Sequence, residues 1–296
     1  MSFLKIAARR ILCIALVLTP GLANVASAQQ CDPNPPPYGC RQSPIDITAA
    51  KEQTGLPTFD TRGLGSQLIY TLKNTTDSDW CEHQVRCKGK VDNRWASLKA
   101  IPDTPAPRIK FGDSVYTLKE FHFHTPAEHF VNGVLTRAEA HFVFLKDGTS
   151  GCSSKYLVIG QRITAGEVGN VELDKIFDGT VKLPRNYHDP SPRVGIDISK
   201  LLTDVNGVSY RYDGSLTAPA DLGCPSYPPA GPPGTPTDQL ASGWLPEVVS
   251  WVLLEPLLPM THDQIVHFQT LFPNGDARSP QDLNLRKVYK AIPPRP

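Results

Sequence analysis

The amino-acid sequence predicts a mainly β, loop-rich protein with short helices, and two observations carry that expectation. The 29 prolines and 22 glycines among 296 residues punctuate nearly every segment. Long helices are disfavoured, because proline removes a backbone donor and clashes with the preceding turn. Apolar runs of strand length recur along the chain, whereas helical periodicity surfaces only twice. The length, less a leader, fits one large domain with an ample core, and nothing marks a seam between two.

From the N-terminus, Lys5, Arg9 and Arg10 precede an apolar run from Ile11 to Leu18, Pro20-Gly21 ends it, and Ala26-Ser27-Ala28 follows. That order of basic, apolar and small residues reads as a secretory signal peptide, residues 1–28, cut after Ala28. The apolar run is too short to span a bilayer, and no second stretch reaches spanning length. The expectation is an exported protein, periplasmic or secreted, with no membrane span and its domain over residues 29–296. Gln29 to Tyr38 reads as a proline-rich exposed arm. Strands are expected over Gln67 to Leu72, Arg108 to Phe111, Ser114 to Phe123, Leu135 to Leu145, Tyr156 to Ile163, Gly207 to Tyr212 and Val248 to Leu254. Helices are expected over Val171 to Phe177, after Gly169-Asn170, and over Thr261 to Leu271. In the second, Thr261 is an N-cap candidate, and Ile265, Phe268 and Phe272 recur at helical spacing. The stretch PSYPPAGPPGTP opens a proline-rich surface insertion, residues 225–243. Asn74-Thr75-Thr76 is a glycosylation sequon, relevant only in a host that glycosylates exported proteins.

Cys13 leaves with the leader, and Cys31, Cys40, Cys81, Cys87, Cys152 and Cys224 remain. An even number in an oxidising compartment favours disulfides over thiolate metal ligands, with 15 possible connectivities. Thirty basic against 29 acidic residues give a formal net charge of +1, which offers no electrostatic case for nucleic acid or an anionic membrane. Small neutral or weakly charged partners fit better.

The stretch EFHFHTPAEHFVNGVLTRAEAHFVF, Glu120 to Phe144, holds the chemistry. His122 and His124 are two residues apart, so a β-strand sends both imidazoles to one face. Asn132-Gly133 is a hairpin signal that folds the next strand back and brings His141 to the pair. A two-residue turn there would set His124 opposite His141, although Pro126 interrupts such a ladder. Three neutral imidazoles leave one tetrahedral position of Zn²⁺ free for water, the ligand count of a catalytic centre. Water bound there is a hydroxide source near neutral pH. Glu139, Glu120 and Glu128 are the nearby carboxylates that can accept the other ring N–H groups. His129 falls out of the alternation and reads as a structural hydrogen-bonding residue.

These residues, with QSPIDI at Gln42 to Ile47, YRYDGSLTAP at Tyr210 to Pro219, VVSWVLLEPL at Val248 to Leu257 and the later LFPNGDAR and LNLR, resemble the α-class carbonic anhydrases, in particular the exported bacterial members. The resemblance implies a central, mostly antiparallel ten-stranded twisted sheet and zinc-dependent reversible hydration of CO₂ to bicarbonate and a proton, with sulfonamides and anions as inhibitors. It implies His122, His124 and His141 as zinc ligands and Glu139 as the acceptor that orients His141, with Glu120 at the position of the partner to the first zinc histidine. Thr217 is implied as the hydroxyl that orients zinc-bound hydroxide and donates to Glu128. Val143, Val158, Leu216, Val249 and Trp251 are implied as the apolar wall that holds CO₂.

Four departures accompany the resemblance. Glu120 stands where many relatives carry Gln, and Ala218 replaces a second threonine. The aromatic segment before QSP is shortened. No histidine aligns with the usual proton shuttle, and His83 is the nearest candidate. Cys40 and Cys224 sit close to positions that relatives join by a disulfide; Cys31 competes for Cys40, and Cys81 with Cys87 can close a loop of their own.

Three other readings compete. His122-x-His124-x₃-Glu128 with Gly133 matches half of a cupin metal motif, which predicts a double-stranded jelly roll, iron or manganese, and Glu128 as a ligand. An H-x-H amidohydrolase would need alternating β and α units, which are absent. A non-catalytic surface-binding relative would be marked by loss of a zinc histidine, and all three are present.

Overall fold

Central strands such as Ala138–Lys146 and Tyr156–Gly166, buried on both faces along most of their length, build a mixed sheet with a core on each side. The computed structural model describes residues 40–65, 67–76, 96–202, 204–218 and 245–293. The strands are β1 (Asp46–Ile47), β2 (Lys51–Gln53), β3 (Phe59–Asp60), β4 (Leu68–Asn74), β5 (Leu98–Pro102), β6 (Arg108–Phe111), β7 (Ser114–His124) and β8 (Phe130–Val131). Then follow β9 (Val134–Leu135), β10 (Ala138–Lys146), β11 (Tyr156–Gly166), β12 (Arg193–Ile196), β13 (Ser209–Gly214), β14 (Val249–Thr261) and β15 (Tyr289–Ala291). The helices are α1 (Val171–Phe177) and α2 (His262–Gln269).

Among the described residues ten strands run in the order β12-β4-β5-β7-β10-β11-β14-β13-β15-β2, with β6 beside β7 and β3 beside β6. Within this sheet, among the described residues, only β11 with β14 and β15 with β2 pair in parallel, and β1 pairs in parallel with β8 in a small separate sheet with β9. This is the expected ten-stranded, mostly antiparallel sheet, and its open path is not the double-stranded jelly roll of the cupin reading. The seven expected strands form with shifted ends: β14 runs seven residues past Leu254, and the strand expected over Leu135 to Leu145 is divided between β9 and β10. Several short strands had no pattern to announce them. β2 is Lys-Glu-Gln, largely exposed, and is recruited by pairing with β15.

The two helices form where expected. Asn170 caps α1 by accepting from Glu172 N. Thr261 and Gln264 make a reciprocal capping box at α2, so Thr261 lies just outside the helix it starts. The sequon is not displayed. Asn74 is fully buried, its Nδ2 donates to the Pro184 carbonyl at 3.1 Å, and its Oδ1 accepts from Thr76 N at 2.9 Å.

The two faces of the sheet carry separate cores. Phe121, Phe123, Ala140, Phe142 and Phe144 belong to the larger, which takes in Phe177 of α1 and Ile265 and Phe268 of α2. Val143, Val158, Val249, Trp251, Tyr210 and Tyr212 belong to the smaller, with Ile45, Ile47 and Leu253. Because side chains alternate along a strand, the histidines between those phenylalanines face the smaller core. A bulge preserves this arrangement. The register with β10 shifts between Val143 and Phe144, so Lys119 stays exposed while Leu118 joins the phenylalanines.

Candidate metal centre

The ladder between β7 and β10 sets His141 opposite His122 and Glu139 opposite His124. The sequence reading had placed His141 opposite His124, two residues away. The turn itself is as expected: Asn132 and Gly133 both have positive φ and close β8 onto β9, pairing Phe130 with Leu135 and Val131 with Val134. The difference arises in Thr125–His129, two residues longer than the stretch it faces. There the Glu128 and His129 N–H groups donate to Glu139 Oε2, at 3.0 and 2.8 Å, instead of to a strand. A shift of two keeps every side chain on its face, so the three histidines still converge.

Their ring centroids are 4.9 Å apart for His122 and His124, 5.2 Å for His122 and His141, and 4.8 Å for His124 and His141. One ring nitrogen from each lies within 4.8 Å of the others. The remaining nitrogens face acceptors. His122 Nδ1 is 3.1 Å from Glu120 Oε1, off line for an ideal hydrogen bond. His124 Nδ1 is 3.3 Å from the Asp276 carbonyl oxygen, and His141 Nε2 is 2.9 Å from Glu139 Oε1. Carbonyls and carboxylates only accept, so these nitrogens carry the protons. Nε2 of His122 and His124 and Nδ1 of His141 are thereby left as lone pairs.

Those lone pairs suit a cation. His124 Nε2 is buried with no hydrogen-bond partner among the described residues, a costly state that a bound metal ion relieves. Burial pushes the His122 imidazole down to about 3 and His124 well below the imidazole range, so both stay neutral as ligation requires. For His141 burial acts the same way, but the adjacent Glu139 carboxylate outweighs it and raises the ring. Three imidazoles on one side of the ion are the donor set of a catalytic zinc centre.

Glu139 is the fixed point behind the centre. Its Oε1 accepts from His141 Nε2 and, at 2.7 Å, from His129 Nδ1, while its Oε2 takes the two backbone N–H groups. Burial opposes its charge, yet His129 and His141 hold the carboxyl well below its ordinary range. His129, Glu139 and His141 are close enough to suggest a second cation site, but four donors occupy this carboxylate and the trio is a hydrogen-bond network. It continues through His129 Nε2 to the Tyr212 hydroxyl at 2.6 Å, which lies 3.2 Å from Ser43 Oγ. His129 is therefore structural, as read from sequence.

Glu128 is buried beside the centre, with Oε1 accepting from Arg278 N at 2.8 Å. Its Oε2 lies 3.7 Å from His124 Nε2 and 3.8 Å from His141 Nδ1. Burial pushes this carboxyl up, against the pull of His141, the Arg278 N–H and the Thr217 hydroxyl. Thr217 is itself buried. Its loop is pinned by Trp251 Nε1 donating to the Ser215 carbonyl at 2.9 Å and by Ser215 N donating to Ser43 Oγ at 3.1 Å. The Trp251 ring packs edge-on against His141, with centroids 4.9 Å apart. Val143, Val158 and Val249 are buried around it, and Leu216 packs against them.

His83, Cys224 and residues 225–243 lie outside the described residues. Cys40 and Cys152 are each disulfide-bonded. Three contributors were given no role by the sequence reading, although Asp276 and Arg278 lie in the LFPNGDAR motif. Asp276 clamps the end of β7, its carbonyl taking His124 Nδ1 and its Oδ1 accepting from Thr125 N at 2.7 Å. Arg278 ties Glu128 to the Gln42-Ser43 segment, donating to the Ser43 carbonyl at 2.6 Å. Lys99, on β5 opposite His122, donates to both oxygens of Glu120 at 2.8 and 3.1 Å.

Known proteins share this architecture. The chain is 23% identical to putative carbonic anhydrase 3 of Caenorhabditis elegans, over 89% of this chain and 95% of that one. It is 28% identical to a carbonic anhydrase of Nostoc sp., over 64% of this chain but only 59% of that protein. An α-carbonic anhydrase of Thermovibrio ammonificans, solved with the inhibitor sulfanilamide, superposes with a TM-score of 0.59 at 25% identity, covering 85% of this chain and 88% of that one. Dioscorin complexed with ascorbate shares the fold, with a TM-score of 0.61 at 19% identity over 87% of this chain and 88% of that one. Residues 27–222, more than half of the sequence, match the eukaryotic-type carbonic anhydrase family, and the chain belongs to that α-class family.

Proposed function

We propose that the protein is a zinc-dependent carbonic anhydrase that interconverts CO₂ and bicarbonate. One observation carries the reading: three imidazoles, two buried and one nearly so, each face an acceptor with one nitrogen and turn the other toward a common point. His122, His124 and His141 would hold Zn²⁺, which supplies hydroxide near neutral pH by lowering the pKa of bound water from about 15.7 to ~7. Glu120, the Asp276 carbonyl and Glu139 orient the three rings and fix their tautomers. The Thr217 hydroxyl, backed by Glu128, fixes the direction of the nucleophile's lone pair, a positioning contribution. Val143, Val158, Leu216, Val249 and Trp251 form a wall that offers CO₂ no hydrogen-bonding competitor. The proton leaves by way of water, with His83 the candidate relay. Export after cleavage behind Ala28, a Cys40–Cys224 bond bracing the Thr217 loop, and inhibition by sulfonamides and anions belong to the same proposal.

Stopped-flow CO₂ hydration by the purified mature protein, with metal content measured on the same sample and acetazolamide as control, tests it. Acetazolamide-sensitive hydration with about one zinc per chain is the expected result. Zinc without hydration would move the protein to the non-catalytic binding class, and bound iron or manganese would overturn the metal assignment.

A further inference from the structure

The acceptor behind His122 is a carboxylate, and the structure shows what keeps it in place. Glu120 and Lys99 sit on neighbouring strands, and β5 pairs with β7 so that Lys99 lies directly opposite His122. The Lys99 ammonium spans both Glu120 oxygens, at 2.8 and 3.1 Å, and Oε1 of the same carboxylate is the atom 3.1 Å from His122 Nδ1. Glu120 has one freely rotating end, and its side chain is 20% exposed. His141 differs, because its acceptor Glu139 is wholly buried and locked by four donors. His124 differs too, because its acceptor is a backbone carbonyl. Of the three histidines, only His122 leans on a partly exposed side-chain acceptor, and Lys99 is the described group that donates to both oxygens of it.

We propose that Lys99 is a positioning residue for the metal centre. By clamping Glu120 it holds Oε1 against His122 Nδ1 and so keeps His122 Nε2 aimed at the ion. This rests on the zinc reading above, and its consequences are separable from it. The loss of a partner behind a ligating histidine typically weakens metal binding 10–100-fold, so Lys99→Met is expected to raise the zinc dissociation constant about tenfold. Glu120→Ala is expected to do at least as much. The double variant should bind zinc no more weakly than Glu120→Ala alone, because Lys99 acts only through that carboxylate. Lys99→Arg should restore near wild-type affinity, since a guanidinium grips a carboxylate with two donors.

Zinc affinity is measured by competition with a chromophoric chelator, and the His122 tautomer by long-range ¹H–¹⁵N NMR of the metal-free protein. Metal-free wild type is expected to show His122 protonated on Nδ1, and Lys99→Met a mixture of tautomers. Unchanged zinc affinity and an unmixed tautomer in Lys99→Met would overturn the proposal. So would a Lys99→Met penalty that persists undiminished in the Glu120→Ala background. If the wild type binds no zinc but its His122 tautomer still depends on Lys99, the zinc reading fails while the clamp stands.

Discussion

A methyl group placed at Gly160 tests how rigidly the centre is built. Gly160 lies on β11 opposite His141. A Cβ there would stand 2.7 Å from Leu253 Cδ1 and 2.9 Å from Glu139 Oε1, with His141 Cδ2 at 3.9 Å. Ordinary van der Waals contact begins at 3.4 Å, so both neighbours must retreat, Leu253 Cδ1 by about 0.7 Å and Glu139 Oε1 by about 0.5 Å. Leu253 is fully buried in the smaller core, where close packing resists its displacement. Glu139 can move only by stretching some of its four hydrogen bonds, and one of them is to His141. Gly160→Ala is therefore expected to cost about 1–3 kcal/mol of stability, the usual range for overpacking a filled interior. At roughly 2–4 °C per kcal/mol for a domain of this size, the Tm of the metal-free protein should fall by about 2–12 °C. Zinc affinity should fall about 10-fold or more, because the displaced carboxylate no longer orients His141. Gly195→Ala on β12 is the control, since a Cβ there meets nothing closer than 3.5 Å. Calorimetry of metal-free samples and chelator competition supply the two readouts. If Gly160→Ala matches Gly195→Ala in both, Glu139 is not the rigid element described above.

Three further outcomes follow from the same geometry. His141→Ala should abolish tight zinc binding together with CO₂ hydration, and activity retained at full zinc content would refute the ligand assignment. Thr217→Ala should keep its zinc but lose about 10²-fold in kcat/KM, the scale of a small misplacement at a reacting centre; stopped-flow assays with metal analysis read both. Glu172 is buried at the start of α1, where it accepts from Asp197 N at 2.9 Å and Lys175 Nζ at 2.6 Å, with Lys200 Nζ at 3.6 Å. Burial opposes its charge, but these donors hold its carboxyl below the usual range. Folding thus favours the ionised form, so its contribution is complete above the unfolded carboxyl pKa of ~4.3 and fades as pH falls through the lower folded value. Glu172→Gln should cost roughly 1–2 kcal/mol at neutral pH. Urea denaturation should show that gap closing below about pH 4; a gap independent of pH would sink the linkage argument.

Much of the site was legible because its signals are local. Two histidines two residues apart on a strand share a face whatever the strand pairs with, and a third beyond an Asn-Gly turn returns to them. The face survived an error in register because the error was an even number of residues. The error itself was illegible, since it depends on two N–H groups leaving the ladder for a carboxylate ten or so residues on. The roles of Asp276, Arg278 and Lys99 were illegible for a related reason: Asp276 and Arg278 reach partners more than a hundred residues away from a segment with no periodicity, and Lys99 meets Glu120 only through the pairing of β5 with β7. The sequon at Asn74 shows the converse, a local pattern whose asparagine is spent on Pro184 and Thr76. Short strands such as β2 escaped because pairing alone makes them strands.

The three histidines are not held alike, and the difference has a direction. His141 and His124 are almost wholly buried and lean on a saturated carboxylate and a backbone carbonyl, whereas the His122 side chain is 12% exposed and leans on an ion pair near the surface. Surface ion pairs are weakened by salt and buried hydrogen bonds far less so. The centre should therefore loosen first at His122. Raising ionic strength from 0.05 to 1 M at fixed pH ought to weaken zinc binding in the wild type more than in Glu120→Gln, whose neutral amide leaves no ion pair to screen. Equal salt sensitivity in the two proteins would mean that the Lys99–Glu120 pair is too well enclosed to feel the solvent.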